Sequence, residues 1–163
     1  MPLRGGTIIP HSIYISLNAH SVPGTYHWGL LVMDSEEQGS FHHATNPSGG
    51  WKYEMRAARP EQSITLVTVV RVGDLAGGDN AAALQVIRSV PADGTPSQRT
   101  GAEFRCNTWL KDVPVALDEA RVVQLPMPVD ELIRVAKRYG DAHLEEAELG
   151  EGAYVVNKPN PSI

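Results

Sequence analysis

The stretch Tyr26-His-Trp-Gly-Leu-Leu-Val-Met33 is an almost continuously apolar run with the length of one strand. A run of about four to eight apolar residues is typical of a strand that is buried on both faces. A polar turn at 34–39 and a shorter run at 40–45 follow it, which predicts an antiparallel partner strand. His27 and the doublet His42-His43 therefore belong to two consecutive strands.

Other strands are predicted on both sides of this pair. Residues 12–17 alternate apolar and small polar side chains, and residues 51–55 alternate aromatic and charged ones. Residues 63–72 are rich in β-branched side chains, which favour strands, and we expect this strand to be the longest. A further short strand is predicted at 121–125.

Three segments have the apolar spacing of helices: residues 81–90, about 106–120 and about 129–138. Asp79 or Asn80 can cap the first helix, and Gly140 is expected to end the third. Pro114 lies inside the second segment and removes a backbone hydrogen bond there. This predicts either a kink or a stop near Asp112 with a restart at Pro114.

The composition indicates one domain. A chain of 163 residues with 42% hydrophobic content can bury one core but is too short for two comfortable domains. We expect an α+β fold over residues 1–150, with a mainly antiparallel sheet packed against the cysteine-bearing helix. Residues 151–163 contain two prolines and are expected to form an extended C-terminal tail.

Charge and cysteine usage restrict the partners. A net charge of -5 with a pI near 5.6 argues against a nucleic-acid or anionic-membrane partner, because both need a concentrated basic surface. No apolar stretch approaches the roughly 20 residues of a membrane span. One cysteine excludes an internal disulfide and the amino terminus lacks a secretory apolar run, so we expect a cytoplasmic location. The oligomeric state is left open.

The single cysteine, Cys106, stands in Phe104-Arg-Cys-Asn-Thr-Trp-Leu110, where the second helix is expected to begin. Unpaired N–H groups and the positive dipole end at a helix start favour a thiolate, with a pKa below the roughly 8.5 of free cysteine. Together with the strand-borne imidazoles, this thiol supplies the parts of a cysteine-histidine active site. The alternative is a structural role, because free cysteine usually acts as a small buried hydrophobe.

The order of these residues resembles circularly permuted papain-like proteins of the NlpC-type superfamily, in particular the lecithin-retinol acyltransferase-like branch. His27-Trp28-Gly29-Leu30-Leu31 matches the strand that carries the general base in that branch. Phe41-His42-His43-Ala44 matches the strand with the second histidine, and Cys106-Asn-Thr-Trp109 matches the start of the nucleophile helix. Small uncharacterised fungal proteins with His-Trp, His-Ala-Thr and Cys-x-x-Trp motifs are also similar. Arg105 replaces the asparagine that commonly precedes the cysteine.

The resemblance implies a permuted papain-like fold in which Cys106 is the nucleophile, His27 its base and His43 the group that orients His27. Adjacent strand residues face opposite sides of a sheet, so one member of the doublet can face the site. We favour His43, because it directly precedes Ala44, and keep His42 in reserve. The implied activity is a thiol-dependent hydrolase or acyltransferase that acts on an amide, ester or thioester of a small molecule or peptide.

Four aromatic residues are candidates for a hydrophobic substrate pocket: Trp28, Trp51, Tyr53 and Trp109. Aromatic strand residues are also frequent in protein cores. Glu54 and Arg56 can bind a polar end of a ligand or can simply be solvated. No CxxC, HExxH or phosphate-binding glycine motif is present, so no metal and no cofactor is expected. Two alternatives stay open: a small-molecule binding protein, cyclase or isomerase without a thioester, and a non-catalytic interaction module.

Overall fold

The structure is a computed structural model that describes residues 2–163. A six-stranded sheet has the order β4-β3-β2-β1-β5-β6. Its strands are β1 (Ser12–Ala19), β2 (Tyr26–Met33), β3 (Gly39–Thr45), β4 (Lys52–Ala58), β5 (Leu66–Asp74) and β6 (Tyr154–Val156). All neighbours pair antiparallel except β5 and β6, which are parallel. The predicted α+β class with a mainly antiparallel sheet is confirmed.

Three helices pack on one face of the sheet, here called the helix face. They are α1 (Asn80–Ser89), α2 (Cys106–Glu119) and α3 (Val129–Glu148), with single 3₁₀ turns at Pro60–Gln62 and Ala76–Gly78. The largest core cluster joins helix residues to the strand residues that point to this face, such as Ile15, Trp28 and Leu30. From α2 it receives Trp109, Leu110, Val113 and Leu117, which share one face of the helix because they recur at intervals of three or four residues.

The opposite face, here called the outer face, carries a second and smaller cluster. Tyr14, Leu31, Phe41 and Val69 point to it, and Ile8 from the N-terminal segment covers part of it. Because successive side chains alternate along a strand, β2 sends Trp28 and Leu30 to the helix face and the residues between and beside them to the outer face. This alternation decides which histidines can meet.

Helix α3 differs from the prediction, because it runs through Gly140 and ends at Glu148. Gly140 is buried in the helix interior, and a Cβ atom there would lie 2.7 Å from Leu17 Cδ2 and 3.2 Å from the Tyr26 ring. The glycine therefore serves close packing of α3 on the sheet. The prediction that Gly140 ends the helix was wrong, since the sequence alone does not distinguish a glycine that ends a helix from one that allows close packing inside it.

Helix α2 is continuous over Cys106–Glu119 with Pro114 inside it, so the predicted stop near Asp112 does not occur. The predicted strand at 121–125 does not form either. Arg121 has a left-handed φ of 60°, and the N–H of Val122 bonds back to the carbonyl of Leu117. These contacts reverse the chain at the end of α2 and are incompatible with an extended strand at this point.

The C-terminal segment contributes to the sheet. Residues 154–156 form β6 beside β5, and Val155 and Val156 are buried there. The backbone of Arg4 also bonds to Ala153 and Val155, so both chain ends lie next to this edge. The predicted tail therefore begins with a paired strand. Across residues 2–163, the structure has no helix with the length and apolarity needed to cross a membrane.

Candidate functional site

Two histidines and a glutamate form a hydrogen-bonded chain on the outer face, here called the relay. His27 Nε2 lies 2.6 Å from His43 Nδ1, and His43 Nε2 lies 3.1 Å from Glu54 Oε1. The three residues come from β2, β3 and β4, three adjacent strands of the antiparallel sheet. His43 is buried, His27 is half-buried and the Glu54 side chain is 41% exposed, so the relay runs from a partly covered imidazole through a buried one to a solvated carboxylate.

Strand register explains why these residues meet. His43 and Glu54 are directly opposed in the β3–β4 pairing. The ring of Phe41 lies beside both imidazoles, with centroids 6.2 Å from His27 and 4.7 Å from His43. Phe41 occupies this place because Gly29 has no side chain: a Cβ there would lie 2.3 Å from Phe41 Cε1. The Gly29 position thus makes room for the ring that packs against the relay.

The hydrogen bonds indicate how the relay is protonated. The hydrogen bond from His43 lowers the pKa of Glu54, so this carboxylate is ionised and accepts from the His43 Nε2–H. His43 Nδ1 is then the acceptor for the His27 Nε2–H, an assignment of tautomers that follows from the bonding pattern. His27 Nδ1 keeps a lone pair and has no hydrogen-bond partner in the described part of the chain. Burial, followed by the nearby His43, lowers the pKa of His27 and keeps its ring neutral at pH 7.

His42 is placed on the helix face and is separate from the relay. Its Nδ1 lies 2.6 Å from the Tyr53 hydroxyl and its Nε2 lies 2.7 Å from Ser40 Oγ. The side chain is fully buried, and burial, with a smaller contribution from the positive charge of Arg88, lowers its pKa to about 4. Both ring nitrogens are occupied and the ring is neutral, so His42 has the properties of a hydrogen-bonded core residue.

Cys106 is the first residue of α2, as predicted, but the structure does not bring it together with His27. Helix α2 packs on the helix face, whereas His27 contacts Phe41 and His43 on the outer face. Over residues 2–163 no hydrogen bond links Cys106 to a histidine. The thiol is half-buried, and burial raises its pKa despite the opposing hydrogen bonds from backbone N–H groups at the helix start. The thiol and His27 therefore belong to elements on opposite faces of the sheet.

The four aromatic residues predicted for substrate binding lie on the helix side of the sheet. Trp28 and Trp109 are buried, and Trp51 and Tyr53 are partly buried against the same core cluster. Trp51 packs on Phe104 with ring centroids 5.1 Å apart, and Tyr53 packs on Trp109 at 6.1 Å. Their placement matches the alternative interpretation, in which aromatic strand residues fill the core.

A cavity of about 360 Å³ opens on the outer face, and none of the three relay residues lines it. Phe41, which packs against both relay imidazoles, forms part of its wall, and so does Asn18, the residue paired with His27 between β1 and β2. No role in a proton relay was predicted for Glu54, because its contact with His43 depends on the β3–β4 register. In residues 2–163 no group of three or more acidic, histidine or cysteine side chains is arranged to hold a metal ion.

Comparison with known families identifies one match. Residues 13–124 match a family described as Family of unknown function (DUF6540), and the chain belongs to this family. The match extends from β1 past the end of α2, and it includes the relay, the cavity and Cys106. Neither the curated proteins nor the solved structures yielded a match.

Proposed function

We propose that the protein is a general acid–base enzyme, of the isomerase or cyclase kind, that acts on a small molecule at His27 without a covalent thioester. The observation that carries the proposal is the relay His27–His43–Glu54, which leaves His27 Nδ1 with a free lone pair. An imidazole that is oriented by a second group and has one free nitrogen is the usual arrangement of a general base. The cavity on the same face of the sheet, which is lined by the Phe41 ring that packs against both imidazoles, offers space for the reacting molecule.

The relay accounts for the fate of the proton. His27 Nδ1 takes a proton from the substrate while its Nε2–H passes to His43 Nδ1. His27 remains neutral, and the positive charge is located on His43, which donates its Nε2–H to the Glu54 carboxylate. Reversal of the two transfers returns the proton to another atom of the substrate. A carboxylate partner for the charged imidazole stabilises this state, as in other acid–base sites.

A thiol-dependent hydrolase or acyltransferase with a permuted papain-like fold is the second candidate. It is supported by the place of Cys106 at the first residue of α2 and by the order of a histidine strand, a second histidine strand and a cysteine helix. It lacks an available base, because both nitrogens of His42 on the helix face are occupied by Ser40 and Tyr53. A cytoplasmic setting, inferred from the single cysteine, belongs to both candidates.

Proton abstraction can be tested before the natural substrate is known. A panel of small carbonyl compounds in D₂O is incubated with the protein, and exchange at the carbon next to the carbonyl is followed by proton NMR. His27→Gln should lower the exchange rate of any accelerated compound by about 10²- to 10⁴-fold, the usual contribution of a general base. Cys106→Ala should leave the rate unchanged, and His11→Gln is the matched control because His11 is exposed and lies beside Asn80, away from the relay.

The same variants discriminate between the two candidates. A parallel panel of small esters and thioesters is assayed for hydrolysis. Turnover that disappears in Cys106→Ala and persists in His27→Gln would overturn the acid–base proposal in favour of the thiol candidate. Exchange that is equal in the wild-type protein and in His27→Gln would remove His27 as the base.

A further inference from the structure

The cavity on the outer face combines an apolar wall with a basic rim. Leu31, Phe41 and Leu66 contribute buried apolar side chains, whereas Arg56 and Arg59 are exposed and line the same space. Predominantly apolar cavities with a few convergent polar groups are typical of small-molecule sites. The side chains of this cavity therefore favour a ligand with an apolar body and a polar end.

Ser16 supplies an independent sign of a ligand. It lies at the middle of β1, lines the cavity and is fully buried, yet its hydroxyl has no hydrogen-bond partner within residues 2–163. Buried hydroxyls are normally hydrogen-bonded, because an unmade bond carries a desolvation cost. A polar atom of a bound molecule would remove this cost. Ser16 thus marks the inner end of the space.

The basic groups at the rim are available to an anion. Arg56 forms no salt bridge within residues 2–163, and its guanidinium lies over the Phe41 ring at 4.9 Å. Arg59 bonds to the neutral amide oxygen of Gln38 at 3.1 Å. An arginine fork binds a carboxylate through two parallel hydrogen bonds, and an aromatic face under Arg56 restricts the orientation of that fork. These two side chains predict a negative charge on the ligand.

We infer that this cavity binds a small organic acid that carries a hydroxyl group at the end opposite its carboxylate. Its apolar body lies against Leu31, Phe41 and Leu66, its carboxylate lies on Arg56 and Arg59, and its hydroxyl group bonds to Ser16 Oγ. The inference rests on the proposed function, since it assigns the substrate class of the relay. Phe41 connects the cavity with the relay, because its ring lines the cavity and also packs against His27 and His43. The bound acid would lie on the same face of the sheet as the relay and in contact with Phe41, whereas none of the three relay residues lines the cavity.

Calorimetric titration with two pairs of probes tests the inference: 3-(4-hydroxyphenyl)propionate against 3-(4-hydroxyphenyl)propionamide, and 8-hydroxyoctanoate against 8-hydroxyoctanamide. The members of a pair share an apolar body and differ in charge. The carboxylates should bind at least about tenfold more tightly than the amides, a difference of about 1.4 kcal/mol. Arg56→Gln should reduce this difference, because only Arg59 then remains for the anion, and Arg56→Lys should restore part of it. Ser16→Ala should weaken both members of a pair.

Arg138→Gln is the control variant, because it makes the same change in net charge at an exposed position of α3. It should leave every affinity unchanged. Equal binding of acid and amide, a preference that is undiminished in Arg56→Gln, affinities unchanged in Ser16→Ala, or no binding of any probe would overturn the inference.

His27→Gln separates this inference from the proposed function. The variant should bind the carboxylates as the wild-type protein does, because His27 is not among the residues that hold the anion. Carboxylate binding with no His27-dependent exchange of any compound would leave the binding site standing and refute the acid–base proposal. His27-dependent exchange of neutral compounds without carboxylate binding would refute the inference alone.

Discussion

Replacement of His42 by glutamine should make the stability of the protein less dependent on pH. In the unfolded chain a histidine titrates near pH 6.5. In the folded protein burial lowers the pKa of His42 to about 4, with a smaller contribution from the charge of Arg88. Between these two values the unfolded state binds more protons than the folded state. The contribution of His42 is therefore present above pH 6.5 and is lost as the pH falls towards 4.

The size of the effect follows from the two pKa values. Linkage gives a loss of about 2 kcal/mol in the free energy of unfolding when the pH is lowered from about 7 to about 5. Urea titrations of the wild-type protein and His42→Gln at both pH values measure this loss. The variant lacks the titrating ring, so the loss should be about 2 kcal/mol smaller in the variant than in the wild-type protein.

Two features keep this experiment interpretable. The amide of glutamine can bond to only part of the Ser40 and Tyr53 pair, so the variant is also expected to be less stable at pH 7. The difference between the two pH values, and not the absolute stability, is therefore the measured quantity. His20→Gln removes an exposed histidine as a control. Identical pH dependence in His42→Gln and the wild-type protein would refute the placement of His42 as a neutral core residue.

Three further outcomes are expected. Trp109 is 1% exposed, so Trp109→Ala should cost about 3–5 kcal/mol in a denaturant titration, and a loss below about 1 kcal/mol would show that the buried face of α2 is misassigned. Gly140→Ala should destabilise the protein, because overpacking against Leu17 at 2.7 Å costs about 1–3 kcal/mol, whereas the gain in helix propensity is at most about 1 kcal/mol. Higher stability of the variant would contradict the close packing of α3. Because burial raises the pKa of Cys106, labelling of the thiol by iodoacetamide should be slow at pH 6 and should become faster at alkaline pH. Fast labelling at pH 6 that is lost in His27→Ala would instead support the thiol candidate.

The fold was more predictable from sequence than the site, for a physical reason. Strand and helix patterns depend on the spacing of apolar residues within one segment, and β2 follows this pattern over its whole length. The errors in the fold fall where tertiary contacts decide. Gly140 packs against Leu17 and Tyr26, which are distant in sequence, and the positive φ of Arg121 belongs to a chain reversal after α2.

The site depends on the register between neighbouring strands, which the sequence of a single segment does not determine. The sequence indicates that His42 and His43 face opposite sides of the sheet, but it does not indicate which side the helices cover. The position of Glu54 opposite His43 requires the β3–β4 register. A register shifted by one residue would send the same carboxylate to the other face. For this reason, the sequence could name Glu54 but could not assign it to the relay.

The distribution of free lone pairs favours the acid–base proposal over the thiol candidate. A base needs a nitrogen that is not already hydrogen-bonded. His42 uses both nitrogens for Ser40 and Tyr53, and His43 uses both for His27 and Glu54. Of these three rings, His27 alone keeps a nitrogen without a partner in the described chain. The sheet separates His27 from the helix that carries Cys106, so proton abstraction at His27 should proceed without the thiol.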